Sequence, residues 1–458
     1  MRRFPTVIVL LIAVMLSAVS VRPYTLQYTD SISKTQIRWP SNRINLTFSS
    51  SLNSPPANVK AGSDVVGALR RALASWSEAA DIEFVESWSK EQSISAVGNR
   101  GDGVSLITIA DSPENIAPFV GPSSEMSGRT RVFFSKTGII TEADIVLNPY
   151  QLFSTDGSSG TYDIEATFAH EIGHLLGLEH SSIVGATMQP RQGRNGIYGL
   201  PTFGPRTLSQ DDVTGARAIY GVRPEEATAR GAITGTITYR DGDPVFGASV
   251  WAEESTTGRL AASSISLANG SYQIDNLLPG KYDIRVEALD GAVLASEIAS
   301  QRGAYASLTA SQVTPFRTEE LGRINILADR TVRLNGQVSD TPTQINATLV
   351  GFNGQLSTLA VPLLPGRTYT VFVGGEGLNV KQITTAGVSV TSRYMSVNPA
   401  SIVQQQYGAG LSVISFDVII SENAPVGDYS LRIQSQNGEV AYVAGCLSID
   451  KNAGAWTQ

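Results

Sequence analysis

Along the first half of the chain, apolar positions recur with two periods in a fixed succession. Ile44-Asn45-Leu46-Thr47-Phe48 alternates apolar and polar, the period of a half-buried strand. Ser50 to Ser63 is rich in Ser, Pro, Asn and Gly and reads as a loop. Val65, Leu69, Leu73 and Trp76 then recur at three- and four-residue spacing, which predicts a helix over 64–80 with Asp64 capping it and one apolar stripe. Residues 82–85, 104–109, 130–134 and 143–147 predict four more strands. A turn-rich stretch, 157–163, leads into a second helix, with Thr161 or Asp163 as its cap and Ile164, Phe168, Leu175 and Leu176 toward the core. A last helix opens at Leu208, where Ser209 and Asp212 have the spacing of a capping box, and closes near Tyr220-Gly221.

After a polar linker, 223–230, only the strand period remains. Residues 233–239, an Asp241-Gly242-Asp243-Pro244 turn, then 248–252, 270–274 and 277–286 form one set of short strands. A second set begins near 332 and includes 364–373, 413–420 and 424–433. A chain of 458 residues has room for two to four domains. The expectation is a multidomain protein: an α+β domain followed by two all-β sandwich modules.

Composition sharpens this in three ways. A hydrophobic share of 42% against 16% charged residues describes globular domains. The formal net charge of −7 gives no basic field to attract nucleic acid. Arg2 and Arg3, the apolar run Val7 to Leu16 and the small residues Ala18-Val19-Ser20 read as a signal peptide over 1–20, so the mature chain is expected outside the cell. Residues 21–37 read as a short leader, too brief for a folded prodomain. The single cysteine, Cys446, excludes intrachain disulfides and is expected to be a buried, inert thiol.

The chemistry sits in one stretch, His170-Glu171-Ile172-Gly173-His174-Leu175-Leu176-Gly177-Leu178-Glu179-His180. A helix repeats every ~3.6 residues, so His170 and His174 share a face and Glu171 lies beside the first of them. Gly177 suits a helix end, because glycine takes the left-handed conformation without steric cost. The turned chain can then return His180 as a third ligand. All three histidines of the protein lie here. Three imidazoles suit one zinc ion with an open fourth position, and the lack of any nearby cysteine argues against a closed structural site. The competing reading is an amphipathic core helix that happens to carry histidines. Glu179 is expected to face solvent.

H-E-x-x-H-x-x-G-x-x-H resembles the zinc signature of the metzincin metalloproteases, and Ser181 with Ala186-Thr187-Met188-Gln189-Pro190 resembles the matrixin branch, with Met188 in a supporting turn beneath the metal. Leu208-Ser209-x-Asp211-Asp212 and the closing Tyr220-Gly221 are similar to the end of a matrixin domain, so 38–222 is expected to be one. The resemblance implies a mixed twisted sheet over the zinc helix and an internal peptide bond as the target. It also implies one catalytic zinc on His170, His174 and His180, and Glu171 as general base. Protein or peptide substrates would lie along a strand edge, and 191–206 would shape the pocket for the residue after the cleaved bond. Gln189 stands where vertebrate matrixins usually carry tyrosine, so their pocket preference does not transfer. The thiol latch of many matrixins has no candidate cysteine, and the family's usual structural zinc has no spare histidine. Calcium could be held by carboxylates and backbone oxygens, though no compact loop demands it.

Gly270-x-Tyr272 followed by Leu277-x-Pro279-Gly280-x-Tyr282 resembles the carboxypeptidase-regulatory-like module, assigned to 231–331, with both tyrosines as packing residues. Residues 332–450 are similar in texture to immunoglobulin-like sandwiches, with 451–458 as a tail. Such modules suit an extracellular-matrix or cell-surface ligand. The alternative function is a binding protein whose protease domain is inactive, which the intact signature argues against.

Overall fold

The computed structural model describes residues 25–30, 35–96, 100–120, 125–197, 206–226, 228–298, 303–308, 315–408 and 410–450. The signal segment, the tail and part of the expected pocket loop lie outside these residues.

The first domain is built on a five-stranded sheet. Its elements are β1 (Arg43–Ser49), α1 (Val65–Ala79), β2 (Glu83–Ser89), β3 (Leu106–Thr108), α2 (Pro113–Ile116), β4 (Gly128–Phe134) and β5 (Ile140–Leu147). The strand order is β2-β1-β3-β5-β4, and only β4, at one edge, runs antiparallel to its neighbour. A short parallel pair, β6 (Phe153–Ser154) and β7 (Tyr162–Asp163), leads into α3 (Ile164–Leu175), and α4 (Gln210–Tyr220) closes the domain.

The apolar stripe of α1 buries Val65, Leu69, Leu73 and Trp76 in one core with Phe168, Ile172 and Leu175 of α3. Trp76 is fully buried, and its indole N–H donates to Ala169 O at 2.9 Å, satisfying the one polar group that such burial strands. The predicted caps form: Asp64 accepts from Gly67 N, and Asp163, rather than Thr161, accepts from Ala166 N. The loop before β3 is held by two buried carboxylates of β5. Asp144 accepts from Ser95 N and Leu106 N, and Glu142 accepts from Ser95 Oγ and Gly103 N.

The leader is woven into this domain. Gln27 N donates to Gly177 O at 2.9 Å and Glu179 N to Thr25 O at 2.7 Å, so 25–28 lies beside the end of the zinc-signature stretch. Leu26 and Ile37 are core residues. This corrects the expectation for Glu179, which is 4% exposed. Its backbone is paired with the leader, and its carboxylate accepts from His180 N at 3.2 Å.

The second unit contains β8 (Gly231–Tyr239), β9 (Ser249–Glu254), β10 (Leu260–Ile265), β11 (Ser271–Leu277), β12 (Gly280–Glu287), α5 (Ala295–Ile298), β13 (Glu319–Ile326), β14 (Thr331–Arg333) and β15 (Gly336–Val338). Sheets β10-β9-β12-β13 and β11-β8-β14, with β15 also on β8, enclose one core. Tyr272 and Tyr282 are buried in it, and their hydroxyls donate to Leu334 O and Leu278 O. The expected boundary at 331/332 falls within β14, which pairs with β8, as β15 does further along the same strand.

The third unit holds β16 (Asn346–Phe352), β17 (Val361–Leu363), β18 (Thr368–Glu376), β19 (Ile383–Val390), β20 (Met395–Val397), β21 (Val403–Tyr407), β22 (Leu411–Ile420), β23 (Gly427–Ser435) and β24 (Val440–Ile449). Its sheets are β16-β18-β22-β20, with β21 on β22, and β17-β24-β23-β19. Cys446 is buried in its core, and burial pushes the thiol up to about 12.

The three units share apolar surface. Ile183 and Ala186 of the first, Trp251 and Leu260 of the second, and Tyr442 and Ala444 of the third form one buried cluster. Between β12 and β13 the chain leaves its own sandwich, and Leu289, Val293, Ile298, Tyr305 and Leu308 join the core of the first domain.

Candidate metal centre and cleft

The amphipathic pattern of α3 turns Ile164, Phe168, Ile172 and Leu175 inward, which leaves the faces carrying His170 and His174 together. Gly177 at φ +93° ends this run, and a Cβ there would collide with Ile37 O, so the turn that returns His180 requires glycine twice over. Ligand atoms of His170, His174 and His180 all lie within 4.8 Å of one another, the one such grouping of histidine, cysteine and carboxylate groups among the described residues.

The other ring nitrogens decide what faces inward. His170 Nδ1 lies 2.7 Å from Thr187 O, His174 Nδ1 3.0 Å from Leu178 O, and His180 Nδ1 2.7 Å from Glu297 O. A carbonyl oxygen only accepts, so each Nδ1 carries the proton and donates it. Each Nε2 is then a lone pair turned toward the other two. His174 Nε2 and His180 Nε2 are 3.2 Å apart, a repulsive arrangement of two acceptors with nothing to share. Two nitrogens of one tetrahedral zinc lie about 3.3 Å apart at bond lengths of ~2.0–2.1 Å. The donor set and its spacing fit zinc. Burial, followed by the neighbouring imidazoles, holds His174 well below the ordinary histidine range. Burial and then His170 bring His180 down to about 3.

Glu171 is buried beside this group. Thr130 Oγ1 of β4 stands 2.7 Å from Glu171 Oε2 and 2.8 Å from its main-chain oxygen. Burial raises the carboxyl's affinity for a proton, while His170 and the Thr130 hydroxyl oppose that rise.

Met188 is fully buried beneath α3, where a Cβ on Gly173 would collide with its sulfur. Its turn is held by Asp212, which accepts from Thr187 N at 2.7 Å and Met188 N at 3.1 Å while completing the capping box with Ser209. Asp211 beside it is also buried. It accepts from Ser181 Oγ at 2.6 Å and, across to the second unit, from Ser263 N at 2.6 Å. Burial, and then Asp212, pushes Asp211 up to about 7.

A cavity of about 350 Å³ opens beside the site, between Thr167 of α3, Thr187, Gln192 and Arg194 on one side and Leu359 and Pro362 of the third unit on the other. Gln189 borders it, with its amide donating to Thr358 O at 3.2 Å.

The profile of the matrixin family matches residues 38–221. Residues 38–221 are a matrixin domain. The carboxypeptidase regulatory-like profile matches 232–315, directly after it. Metalloendoproteinase 1 of Glycine max is 26% identical over 198 residues, covering 41% of this chain and 54% of that protein. Interstitial collagenase of Sus scrofa is 31% identical over 162 residues, covering 34% and 28%. Matrilysin of Mus musculus is 28% identical over 156 residues, covering 34% and 50%. The chain spans about half the length of the curated relatives it matches, or less: 54%, 42% and 44% of the first three. One solved structure, the major pilin subunit BcpA of Bacillus cereus, overlaps 46% of this chain and 66% of its own at 14% identity, but at a TM-score of 0.17 it carries no argument.

Sequence reasoning missed the roles of four residues around the matrixin domain's site. Thr130 is an ordinary strand threonine by pattern, and only the fold brings it to Glu171. Asp212 was visible as a helix cap but not as the holder of the methionine turn. Asp211 was visible in the Leu208-Ser209-x-Asp211-Asp212 motif but not as the tie between Ser181 and Ser263, and Glu297 carries no local signal, because their partners lie in other elements.

Proposed function

We propose that this chain is a secreted zinc-dependent endopeptidase that hydrolyses internal peptide bonds of proteins. One observation carries the reading. Three Nε2 lone pairs converge while all three Nδ1 protons are committed to main-chain carbonyls, and a buried carboxylate stands beside them. His170, His174 and His180 would hold the ion. Bound zinc supplies Lewis-acid polarisation of the scissile carbonyl and acidification of water. Glu171 takes the water's proton and delivers it to the leaving nitrogen, with Thr130 fixing which carboxylate oxygen is engaged. Met188 packs under α3 and binds nothing itself.

The substrate backbone adds to the β4 edge, where main-chain pairing gives affinity without side-chain choice. Its residue after the cleaved bond enters the cavity beside Thr167. Secretion rests on the basic and apolar pattern of 1–20; no helix among the described residues is long and apolar enough to cross a membrane. The third unit is read as immunoglobulin-like, and the two β-modules as carriers of an extracellular or cell-surface ligand.

The test compares cleavage of an unfolded protein by the mature chain and by Glu171→Ala, with zinc assayed on both. Zinc in both and cleavage by the first alone is expected. Turnover retained without Glu171 would overturn its role, and zinc in both with cleavage by neither would favour latency or a binding role.

A further inference from the structure

His170 and His174 take their outer hydrogen-bond acceptors, Thr187 O and Leu178 O, from within the matrixin domain. His180 does not. Its acceptor is the main-chain oxygen of Glu297, in the excursion of the second module between β12 and β13.

That oxygen is held in place from several sides. Glu297 Oε2 accepts from Leu294 N at 2.8 Å, closing the turn on itself. Glu297 Oε1 pairs with Arg191 Nε at 2.5 Å, and Arg191 Nη1 reaches Ala292 O at 3.4 Å. Arg191 lies just beyond the methionine turn, and its own N–H donates to Gln189 Oε1 at 2.7 Å. Below the turn, Val293 and Ile298 are buried in the core that contains α3. The Glu297 side chain therefore ties the Leu294–Glu297 turn to the chain leaving the methionine turn, while its carbonyl faces the third histidine.

We propose that Glu297 is a positioning residue for the metal, and that the zinc site is shared between the matrixin domain and the module after it. The inference rests on the zinc reading given above. An acceptor at Nδ1 fixes both the tautomer and the ring plane of a ligating histidine, and the loss of such outer partners typically weakens metal binding ~10–100-fold. Without the Glu297 side chain the main-chain acceptor stays but loses its ties to Leu294 N and Arg191, so the His180 ring is held less firmly toward the other two ligands.

The experiment uses the full mature chain. Zinc affinity is measured by competition with a chelator, alongside thermal unfolding of the metal-free protein, for wild type, Glu297→Ala, Glu297→Gln and Arg191→Ala. Arg323→Ala serves as the control; it removes an exposed ion pair with Asp283 in the same module that involves neither Glu297 nor Arg191. Glu297→Ala keeps the main-chain acceptor but loosens it, so zinc is expected to weaken severalfold, up to about tenfold, at or below the low end for losing the partner outright. Glu297→Gln, which keeps an acceptor for Leu294 N, is expected to lose less affinity, and Arg323→Ala to leave zinc affinity unchanged.

Should Glu297→Ala not fold, Arg191→Ala tests the same tie from the other side and is expected to weaken zinc severalfold. Zinc affinities of Glu297→Ala and Arg191→Ala within twofold of wild type would overturn the proposal, even if both unfold at lower temperature. A wild-type chain that takes up no zinc would instead overturn the reading of the site itself.

Discussion

At the scale of single residues, the site depends on hydrogens being committed before any substrate arrives. Thr130 illustrates this. Its hydroxyl proton can serve one acceptor at a time, and the carboxylate of Glu171 at 2.7 Å is the stronger of the two within reach. Thr130→Val keeps the β-branched shape and removes the hydroxyl. A hydrogen bond to a charged group contributes ~1.5–3 kcal/mol, so turnover should fall about 10–100-fold with zinc content unchanged. Steady-state kinetics with a metal assay checks this; loss of zinc in the variant would move Thr130 from the base to the ligand set. Gly173 gives a second case. A side chain there meets Met188 sulfur and, at 3.1 Å, Trp76 Cζ2. Gly173→Ala should therefore destabilise the protein by about 1–3 kcal/mol through overpacking, despite alanine's better helix propensity. Denaturant unfolding decides the sign.

At the scale of elements, the start of α4 does two things with one dipeptide. Asp212 caps its own helix and holds the amides of Thr187 and Met188, while Asp211 ties Ser181 to Ser263. Asp212→Ala leaves two buried amides without acceptors at ~1–3 kcal/mol each and removes a cap. A loss of about 3 kcal/mol or more in unfolding free energy is expected, with zinc weakened because the chain after His180 is loosened. An unchanged midpoint would remove Asp212 from this role. The sequence allowed half of this to be read. Capping is local, so Ser209-x-x-Asp212 was legible; holding a turn more than twenty residues upstream is tertiary and left no mark. The same division runs through the chain. The periods of α1 and β1 were legible because each buries one face. β10 escaped because Leu260-Ala261-Ala262-Ser263-Ser264-Ile265 is buried on both faces and shows no alternation. Glu179 was misjudged because its cover comes from the leader, a segment whose packing has no periodic signal.

At the scale of the whole molecule, the modules are not beads on a string. The matrixin core is completed by Leu289, Val293, Ile298, Tyr305 and Leu308 from the second module. A fragment ending at 222 would expose the apolar surface they cover, and it is expected to be less soluble and to unfold at lower temperature than the full chain. A soluble fragment with the full chain's midpoint would contradict this. The junction also holds a buried carboxyl, Asp428, which burial raises to about 8, with Asp212, Asp211 and Asp450 adding to the rise and Ser448 opposing it. Its ordinary value is 3.8, so the folded state binds the proton more tightly than the unfolded chain. The stabilisation is therefore complete below about pH 4 and lost as pH rises through about 8. Asp428→Asn should flatten that decline, as read by unfolding midpoints across the range; an unaltered slope would show that other groups set it. Cys446 is the chain's only thiol and is fully buried. A thiol reagent can reach it only when the third sandwich opens, so the labelling rate in native buffer is a clock for that opening. With reagent in excess and reclosing slower than labelling, the clock runs at the opening rate itself; with fast reclosing, it counts the open fraction.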